Sequence, residues 1–346
     1  MTLLNNHSER APSDALGRPL RSLRLSVTDR CNLRCTYCMP EESYLWLRRQ
    51  MLLSFEELTR LAGLFQTLGV QRVRLTGGEP LLRKDLPILV GHLKALGLSE
   101  LALTTNGLLL SKLQHELFAA GLDRVTVSLD AVDRGVFRSM AGRDDLDGVL
   151  EGLSSVAHRP GLKIDSVIVA GLNESEIIPL LALGKDMGAE VRFIEYMDVG
   201  GATRWSADQV FSQARILDVV AREYGPVAPL LGRGSAPAQR FQARDGPTFG
   251  VIASVTKPFC RACDRARLTA DGQLLTCLYG KRGRDVRQLL RNGSSDHEIL
   301  EVLAALWRGR ADRGAEERVA LSQRGPLADV SELQENLHLE MHTRGG

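Results

Sequence analysis

The stretch from Leu25 to Pro40 reads LSVTDRCNLRCTYCMP and carries three cysteines, Cys31, Cys35 and Cys38. Spacings of four and three residues bring their thiolates together on one short loop. Thiolate sulfur is the usual protein ligand of iron–sulfur clusters and of structural zinc. Structural zinc takes four ligands, and the next histidine is the distant His92. Three thiolates on a 4Fe–4S cluster would leave its fourth iron open to another molecule.

A second group of three cysteines lies near the other end of the chain. Cys260 and Cys263 form a Cys-x2-Cys turn beside a predicted hairpin, whose second strand carries Cys277. These two groups account for all six cysteines of the chain. In a reducing compartment, grouped cysteines indicate metal binding rather than disulfides. A zinc site that uses His297 as a fourth ligand is the alternative for this second group.

The overall composition is that of a globular protein. The chain has 346 residues, of which 44% are hydrophobic and 25% charged, and its net charge is +2. So small a net charge indicates neither nucleic-acid nor membrane binding, so an anionic ligand needs a local cluster of Arg and Lys. No apolar run reaches transmembrane length, and the first twenty residues lack a signal-peptide pattern. We therefore expect a soluble, cytoplasmic protein, either a monomer or a homodimer.

Strand and helix patterns alternate around and after the first cysteine group. Leu23, Leu25 and Val27 predict the first strand, and the capping box from Ser54 to Glu57 predicts the first helix. Six strands are predicted in this way as far as Tyr196. Repeated βα units imply a parallel sheet, either doubly wound or closed into a partial barrel, with function at the C-terminal ends of its strands.

The pattern changes after residue 205. Ser206 is predicted to cap a helix that reaches about Tyr224, and a Gly/Pro-rich stretch follows. Asp245-Gly246 and Asp271-Gly272 predict two hairpins, and helices are expected at 286–291 and 296–308. The predicted domains are a loose tail (1–18), an α/β unit (19–225), a smaller α+β C-terminal region (226–340) and a final Gly-Gly tail (341–346).

The first cysteine motif resembles the radical S-adenosylmethionine (SAM) superfamily, and residues 25–40 resemble the GTP 3′,8-cyclases of molybdenum cofactor biosynthesis. The segment from Phe259 to Cys277 resembles the C-terminal region of the same enzymes. The resemblance implies a partial (β/α)6 TIM-like barrel and two 4Fe–4S clusters, the second binding guanine. It further implies that a 5′-deoxyadenosyl radical from SAM abstracts the C3′ hydrogen of GTP. The C3′ radical then bonds to guanine C8, and reduction of the resulting radical by one electron with uptake of a proton gives 3′,8-cyclo-7,8-dihydro-GTP.

The resemblance also implies a set of site residues. The metal ligands would be Cys31, Cys35, Cys38, Cys260, Cys263 and Cys277. SAM would contact Tyr37, Gly78, Ser128 and Met197. GTP would contact Arg24, Arg74, Thr104, Lys163, Arg265 and Arg267. No residue beyond the clusters is expected to be catalytic, although a tail of Gly345 and Gly346 would assist from within the active site. The implied partners are an electron donor and cyclic pyranopterin monophosphate synthase.

Two positions depart from the expected pattern. Asp165 stands where the family often has Asn, so it would repel a triphosphate unless Lys163 or an Arg neutralises it. Arg344 stands where an aliphatic residue is expected, and it is predicted to reach a phosphate or Asp165. Two other interpretations remain open: a different radical SAM enzyme, such as a peptide-modifying one with an auxiliary cluster, and a zinc-stabilised binding module.

Overall fold

The computed structural model describes residues 11–345, so residues 1–10 of the predicted tail and Gly346 lie outside the described part. One 12-stranded sheet forms the centre of the molecule. Its strands are β1 (Ser22–Ser26), β2 (Arg72–Thr76), β3 (Glu100–Thr105), β4 (Arg124–Ser128), β5 (Lys163–Ile168), β6 (Glu190–Glu195), β7 (Val227–Pro229), β8 (Gln239–Ala243), β9 (Thr248–Ile252), β10 (Arg265–Leu268), β11 (Gln273–Leu275) and β12 (Arg284–Asp285).

The α-helices come mainly between the strands and in the C-terminal segment. They are α1 (Phe55–Thr67), α2 (Leu86–Ala95), α3 (Leu110–Ala119), α4 (Arg134–Ala141), α5 (Leu146–Ser154), α6 (Ile177–Met187), α7 (Gln213–Tyr224), α8 (Arg287–Arg291), α9 (Asp296–Arg308), α10 (Gly314–Val319), α11 (Val330–Glu335) and α12 (Met341–Arg344). No helix within residues 11–345 is long and apolar enough to cross a membrane.

Local signals fix several of these boundaries. The predicted capping box of α1 is present, because the Ser54 hydroxyl accepts from Glu57 N at 3.2 Å and Ser54 N donates to the Glu57 carboxylate at 2.8 Å. The helix predicted from Ser206 was placed too early. Only a 3-10 turn follows Ser206, and α7 begins after Ser212, whose hydroxyl accepts from Arg215 N. The sequence analysis also missed α4 and the short helices α10, α11 and α12.

The strand order decides between the two sheet types. Strands β1 to β6 are parallel neighbours in sequential order. A doubly wound sheet would reverse its order at a switch point. Without a reversal, right-handed crossovers put all helices on one face, and the other face curls around a cavity. The mixed α/β fold with barrel-like parallel strands was therefore correctly expected.

Alternation along the strands separates the core from this cavity. Leu23, Leu25, Val73 and Leu75 are buried in the main hydrophobic cluster beneath the helices. Arg24, which lies between Leu23 and Leu25, lines the cavity on the other face, as do Arg72 and Arg74 of β2. Because successive side chains of a strand point to opposite faces, arginines can stand in strands whose other face is fully apolar.

The C-terminal region continues the same sheet rather than forming a second one. Strand β10 pairs in parallel with β1, and β9 pairs in parallel with β6. The hairpins predicted at Asp245-Gly246 and Asp271-Gly272 are both present, between β8 and β9 and between β10 and β11. The region after residue 226 thus extends both edges of the barrel sheet and brings its cysteines to the cavity.

Residues 11–18 differ from the loose tail that was predicted. Asp14 and Arg18 are 6% and 3% exposed and are paired with each other. Arg18 also donates to the carbonyls of Cys260 and Asp312 at 2.9 and 2.8 Å. Polarity suggested a solvated segment, but these charges are compensated by partners from distant parts of the chain.

Candidate active site

Both cysteine groups line one cavity of about 790 Å³ inside the curled sheet. All six cysteines are free thiols. The predicted ligand-contact residues on the strands and loops line the same cavity: Arg24, Tyr37, Arg74, Gly78, Thr104, Ser128, Lys163, Met197, Arg265 and Arg267. The cysteine group near the start of the chain and the one near its end therefore line the same cavity.

The first cysteine loop is fixed by short-range turns and by one side-chain contact across the barrel. Cys38 N and Met39 N both donate to the Cys35 carbonyl, at 2.9 and 2.7 Å. The Tyr37 hydroxyl donates to the Asp130 carboxylate at 2.8 Å, and the other oxygen of Asp130 accepts from Val167 N. Burial raises the pKa of Asp130 to about 6. Asp130, which was not singled out from the sequence, orients the tyrosine between Cys35 and Cys38.

Two glycines let the β2 loop lie against the backbone that leads into Cys31. A Cβ on Gly77 would stand 2.3 Å from the Thr28 carbonyl oxygen, and one on Gly78 would stand 2.3 Å from that of Arg30. Gly78 N donates to the Thr28 carbonyl at 2.9 Å. Gly78 was expected to contact SAM. In the structure both glycines join the β2 loop to the first cysteine loop.

The donor chemistry of the cysteines fits a thiolate-bound cluster. Burial raises the pKa of Cys31, Cys35 and Cys38, and a metal that replaces the proton would favour the thiolate form of these residues. Burial also acts to raise the pKa of Cys263. The positive charges of Arg265 and Arg310 outweigh this effect and lower the pKa to about 7. Across residues 11–345, no three His, Cys, Asp or Glu side chains are arranged around a single metal ion.

Part of the cavity wall, formed by Arg24, Arg74, Arg265 and Arg267, is strongly basic. Burial lowers the pKa of Arg24 well below its usual value, and the charges of Arg267, Arg74 and Arg265 lower it further. The charge of Asp165 acts in the other direction and raises this pKa. This excess of buried positive charge favours an anionic ligand.

Neutral hydroxyls, rather than carboxylates, position the guanidinium of Arg74. It donates to the hydroxyls of Thr104 and Thr126, both at 3.0 Å. Its orientation is therefore fixed while its charge remains available to a ligand. Thr104, predicted as a GTP contact, acts here as an acceptor for Arg74.

A neighbouring strand neutralises the unexpected Asp165. Arg192 donates to both of its carboxylate oxygens, at 2.6 and 2.8 Å, because β5 and β6 place the two residues side by side. Lys163 instead pairs with Glu190 at 3.0 Å. The repulsion expected from Asp165 is thus removed by Arg192. The sequence signal for this role was an arginine between the apolar residues Val191 and Phe193 of β6.

The second cysteine loop is braced by buried arginines. Arg18 donates to the Cys260 carbonyl, and Arg310 donates to the Cys263 carbonyl at 2.8 Å. Arg265 lies over the Phe259 ring, 5.0 Å from its centroid. Arg267 is 9% exposed and donates to the Gly345 carbonyl. Both arginines of β10 thus lie at the cavity, between the cysteine turn and the C-terminal tail.

The described end of the tail lies beside the cavity. Gly345 has φ of +76°, and a Cβ there would stand 2.8 Å from the Thr76 hydroxyl at the end of β2. Arg344 does not reach Asp165, contrary to expectation. Its guanidinium donates to the carbonyls of Leu278, Gly280 and His338, which face it from the loop after Cys277 and from the tail itself.

Comparison with known proteins assigns the chain. The family model Radical SAM superfamily matches residues 25–184, and Molybdenum Cofactor Synthesis C matches residues 189–316. GTP 3′,8-cyclase 1 of Mycobacterium tuberculosis is 48% identical over 340 residues, covering 96% of this chain and 95% of the relative. GTP 3′,8-cyclase of Acidothermus cellulolyticus is 46% identical, covering 92% and 91%. The chain belongs to the GTP 3′,8-cyclase family.

The two family-model matches divide this GTP 3′,8-cyclase homologue as the site does. The first covers β1 to β5 with the Cys31 group, and the second covers β6, β9 and β10 with the Cys260 group. Among solved structures, Streptococcus suis SuiB bound to S-adenosylmethionine matches with a TM-score of 0.60 at 16% identity, covering 88% of this chain and 69% of SuiB. At that identity the likeness supports the radical SAM fold alone.

Proposed function

We propose that this chain binds GTP and SAM in the cavity and converts GTP to 3′,8-cyclo-7,8-dihydro-GTP, an early step of molybdenum cofactor biosynthesis. One observation carries the proposal beyond family membership. Two groups of free cysteines and an excess of buried arginine charge line the same cavity. A nucleoside triphosphate and two cysteine-bound clusters account for both features together.

Each cysteine group would hold one 4Fe–4S cluster by three thiolates. Cys31, Cys35 and Cys38 would hold the cluster that binds SAM, and Cys260, Cys263 and Cys277 the cluster that faces guanine. When bound, the first cluster and SAM supply a 5′-deoxyadenosyl radical that removes the C3′ hydrogen of GTP. In the second group burial raises the pKa of Cys260 and Cys277, whereas Arg265 and Arg310 lower that of Cys263 to about 7, so Cys263 is the thiol most readily available as a thiolate ligand.

The SAM contacts expected from the resemblance lie around the first cysteine loop. Tyr37 is oriented by Asp130, and Gly78 lies against the Arg30 backbone next to Cys31. Ser128 and Met197 line the cavity from the ends of β4 and β6. These residues would bind SAM beside the open iron and shield it from water.

The expected GTP contacts would come from the basic wall. Arg24, Arg74, Arg265 and Arg267 would bind the phosphates, since the charges of the last three add to that of the buried Arg24. Lys163 is paired with Glu190, so binding GTP requires it to share or exchange that partner. The electron donor and the partner synthase remain predictions from the resemblance, and a monomer or a homodimer remains the expected assembly.

The test uses the complete chain, reconstituted with iron and sulfide without oxygen. It is incubated with SAM, dithionite and GTP deuterated at C3′. We expect 5′-deoxyadenosine that carries the deuterium and a nucleotide that is an isomer of GTP without guanine absorbance. Cys277→Ala serves as the control that retains the first cysteine group. SAM cleavage without deuterium transfer from GTP would contradict the proposal.

A further inference from the structure

Arg344 has an unusual environment for a charged side chain. It is 1% exposed, and within residues 11–345 its guanidinium nitrogens donate to backbone carbonyls alone. Nε and Nη2 donate to His338 at 2.9 and 2.6 Å, Nη2 also to Gly280 at 3.2 Å, and Nη1 to Leu278. Five N–H donors in a planar fork allow one arginine to bind several carbonyls at once.

These carbonyls connect the tail to the second cysteine group. Leu278 follows Cys277 directly, and Gly280 N donates to the Cys277 carbonyl at 3.2 Å. Arg344 therefore attaches the end of the chain to the loop of the third cysteine. Burial lowers the pKa of Arg344 to about 10, which still leaves the side chain charged at neutral pH.

The next residue, Gly345, contacts Arg267, an arginine of the cavity wall. The Gly345 carbonyl accepts from Arg267, and Gly345 N donates to the Met341 carbonyl at 3.0 Å. The left-handed backbone and the close Thr76 hydroxyl leave little freedom for Gly345 to move. The position of this carbonyl, and with it the orientation of the Arg267 guanidinium, depends on where Arg344 anchors the tail.

We propose that Arg344 is a positioning residue that fixes the tail to the Cys277 loop so that the Gly345 carbonyl orients Arg267 for the substrate. Arg344 does not touch the reacting atoms. The inference rests on the proposed function for its effect on catalysis, whereas the attachment of the tail can be tested independently. An aliphatic residue at position 344 would leave the three carbonyls without this donor.

The first experiment measures hydrogen exchange in the metal-free protein. It compares wild type with Arg344→Leu, with Arg344→Lys, and with Arg282→Leu as a control at an exposed arginine of the same loop. The amides of Arg344 and Gly345 are the reporters, since both are bonded within the tail. Losing even one charge-assisted hydrogen bond should speed their exchange roughly tenfold or more in Arg344→Leu. Arg344→Lys should show a smaller increase, and the control none.

The second experiment measures the amount of cyclised nucleotide formed per 5′-deoxyadenosine in the reconstituted enzyme. We expect this ratio to fall roughly tenfold or more in Arg344→Leu, because small displacements of positioning groups are costly. Iron content and total SAM cleavage should remain near those of wild type. Arg344→Lys should recover part of the ratio. A general folding defect would lower iron, SAM cleavage and product together.

The outcomes distinguish a failure of the positioning role of Arg344 from a failure of the proposed function. Unchanged exchange at the tail amides, or an unchanged product ratio in Arg344→Leu, would overturn the positioning role. If wild type itself makes no cyclised nucleotide, the proposed function fails, while the exchange measurement still decides whether Arg344 anchors the tail. If Arg344→Leu does not fold, Arg344→Lys decides, because lysine keeps the charge but cannot reach all three carbonyls. Wild-type values in the Lys variant would then refute the proposal.

Discussion

Replacing Arg265 by alanine tests whether the basic wall binds the triphosphate. Arg265 lines the cavity, lies over the Phe259 ring and contributes to the positive charge around Arg24. A hydrogen bond to a charged group contributes about 1.5–3 kcal/mol, so one lost contact should weaken GTP binding roughly tenfold to a hundredfold. Guanosine lacks phosphates, and its affinity should change little.

The assay is equilibrium dialysis of anaerobically reconstituted protein with GTP or guanosine. The matched control is Arg261→Ala, because Arg261 is an exposed arginine of the same cysteine turn and does not line the cavity. Arg265 also helps to lower the pKa of Cys263, so iron content must be measured in each variant. Equal losses for GTP and guanosine, or an equal loss in Arg261→Ala, would refute the assignment of Arg265 to the phosphates.

Three further predictions concern the clusters, the tail and a buried acid. Cys31→Ala should abolish SAM cleavage, whereas Cys277→Ala should retain part of it and form no cyclised GTP. If chromatography detects cyclised GTP made by Cys277→Ala, the second cysteine group has a structural role only. Deleting Gly345 and Gly346 removes the acceptor of Arg267 and should leave iron content and SAM cleavage intact while cyclised product nearly disappears; full product would contradict a role for the tail. Burial raises the pKa of Glu79 to about 7, so this acid stabilises the fold below its usual pKa of 4.5 and loses that contribution as the pH rises through about 7. The unfolding midpoint of metal-free Glu79→Gln should therefore depend less on pH between 5 and 8 than that of wild type, and an unchanged dependence would refute this assignment.

The sequence alone predicted the local elements and the chemistry of the ligands. Cysteine spacing, the Ser54 capping box and the two Asp-Gly turns act within a few residues, so their structural outcome needs no knowledge of distant neighbours. The αβ alternation likewise implied a parallel sheet. The resemblance carried by residues 25–40 and 259–277 then indicated the family, which the comparisons confirmed.

Only the tertiary structure decided how charges are compensated. Asp165 meets Arg192 because β5 and β6 are in a particular register, and Arg18 meets the Cys260 carbonyl across 242 positions of sequence. Burial and long-range pairing, rather than local polarity, determine whether such a charge is solvated. For the same reason residues 11–18 were mistaken for a loose segment, and the contacts of Arg344 were not foreseen.

The cavity itself is a consequence of strand order. Periodicity predicts the same alternation of strands and helices for a doubly wound sheet and for a curled one, because both are built from repeated βα units. Sequential pairing from β1 to β6, extended by β10 and β9 at the two edges, brings cysteines more than 200 residues apart to one cavity. The sequence thus indicated which residues could bind clusters and phosphates, and the sheet topology determined that these residues line the same cavity.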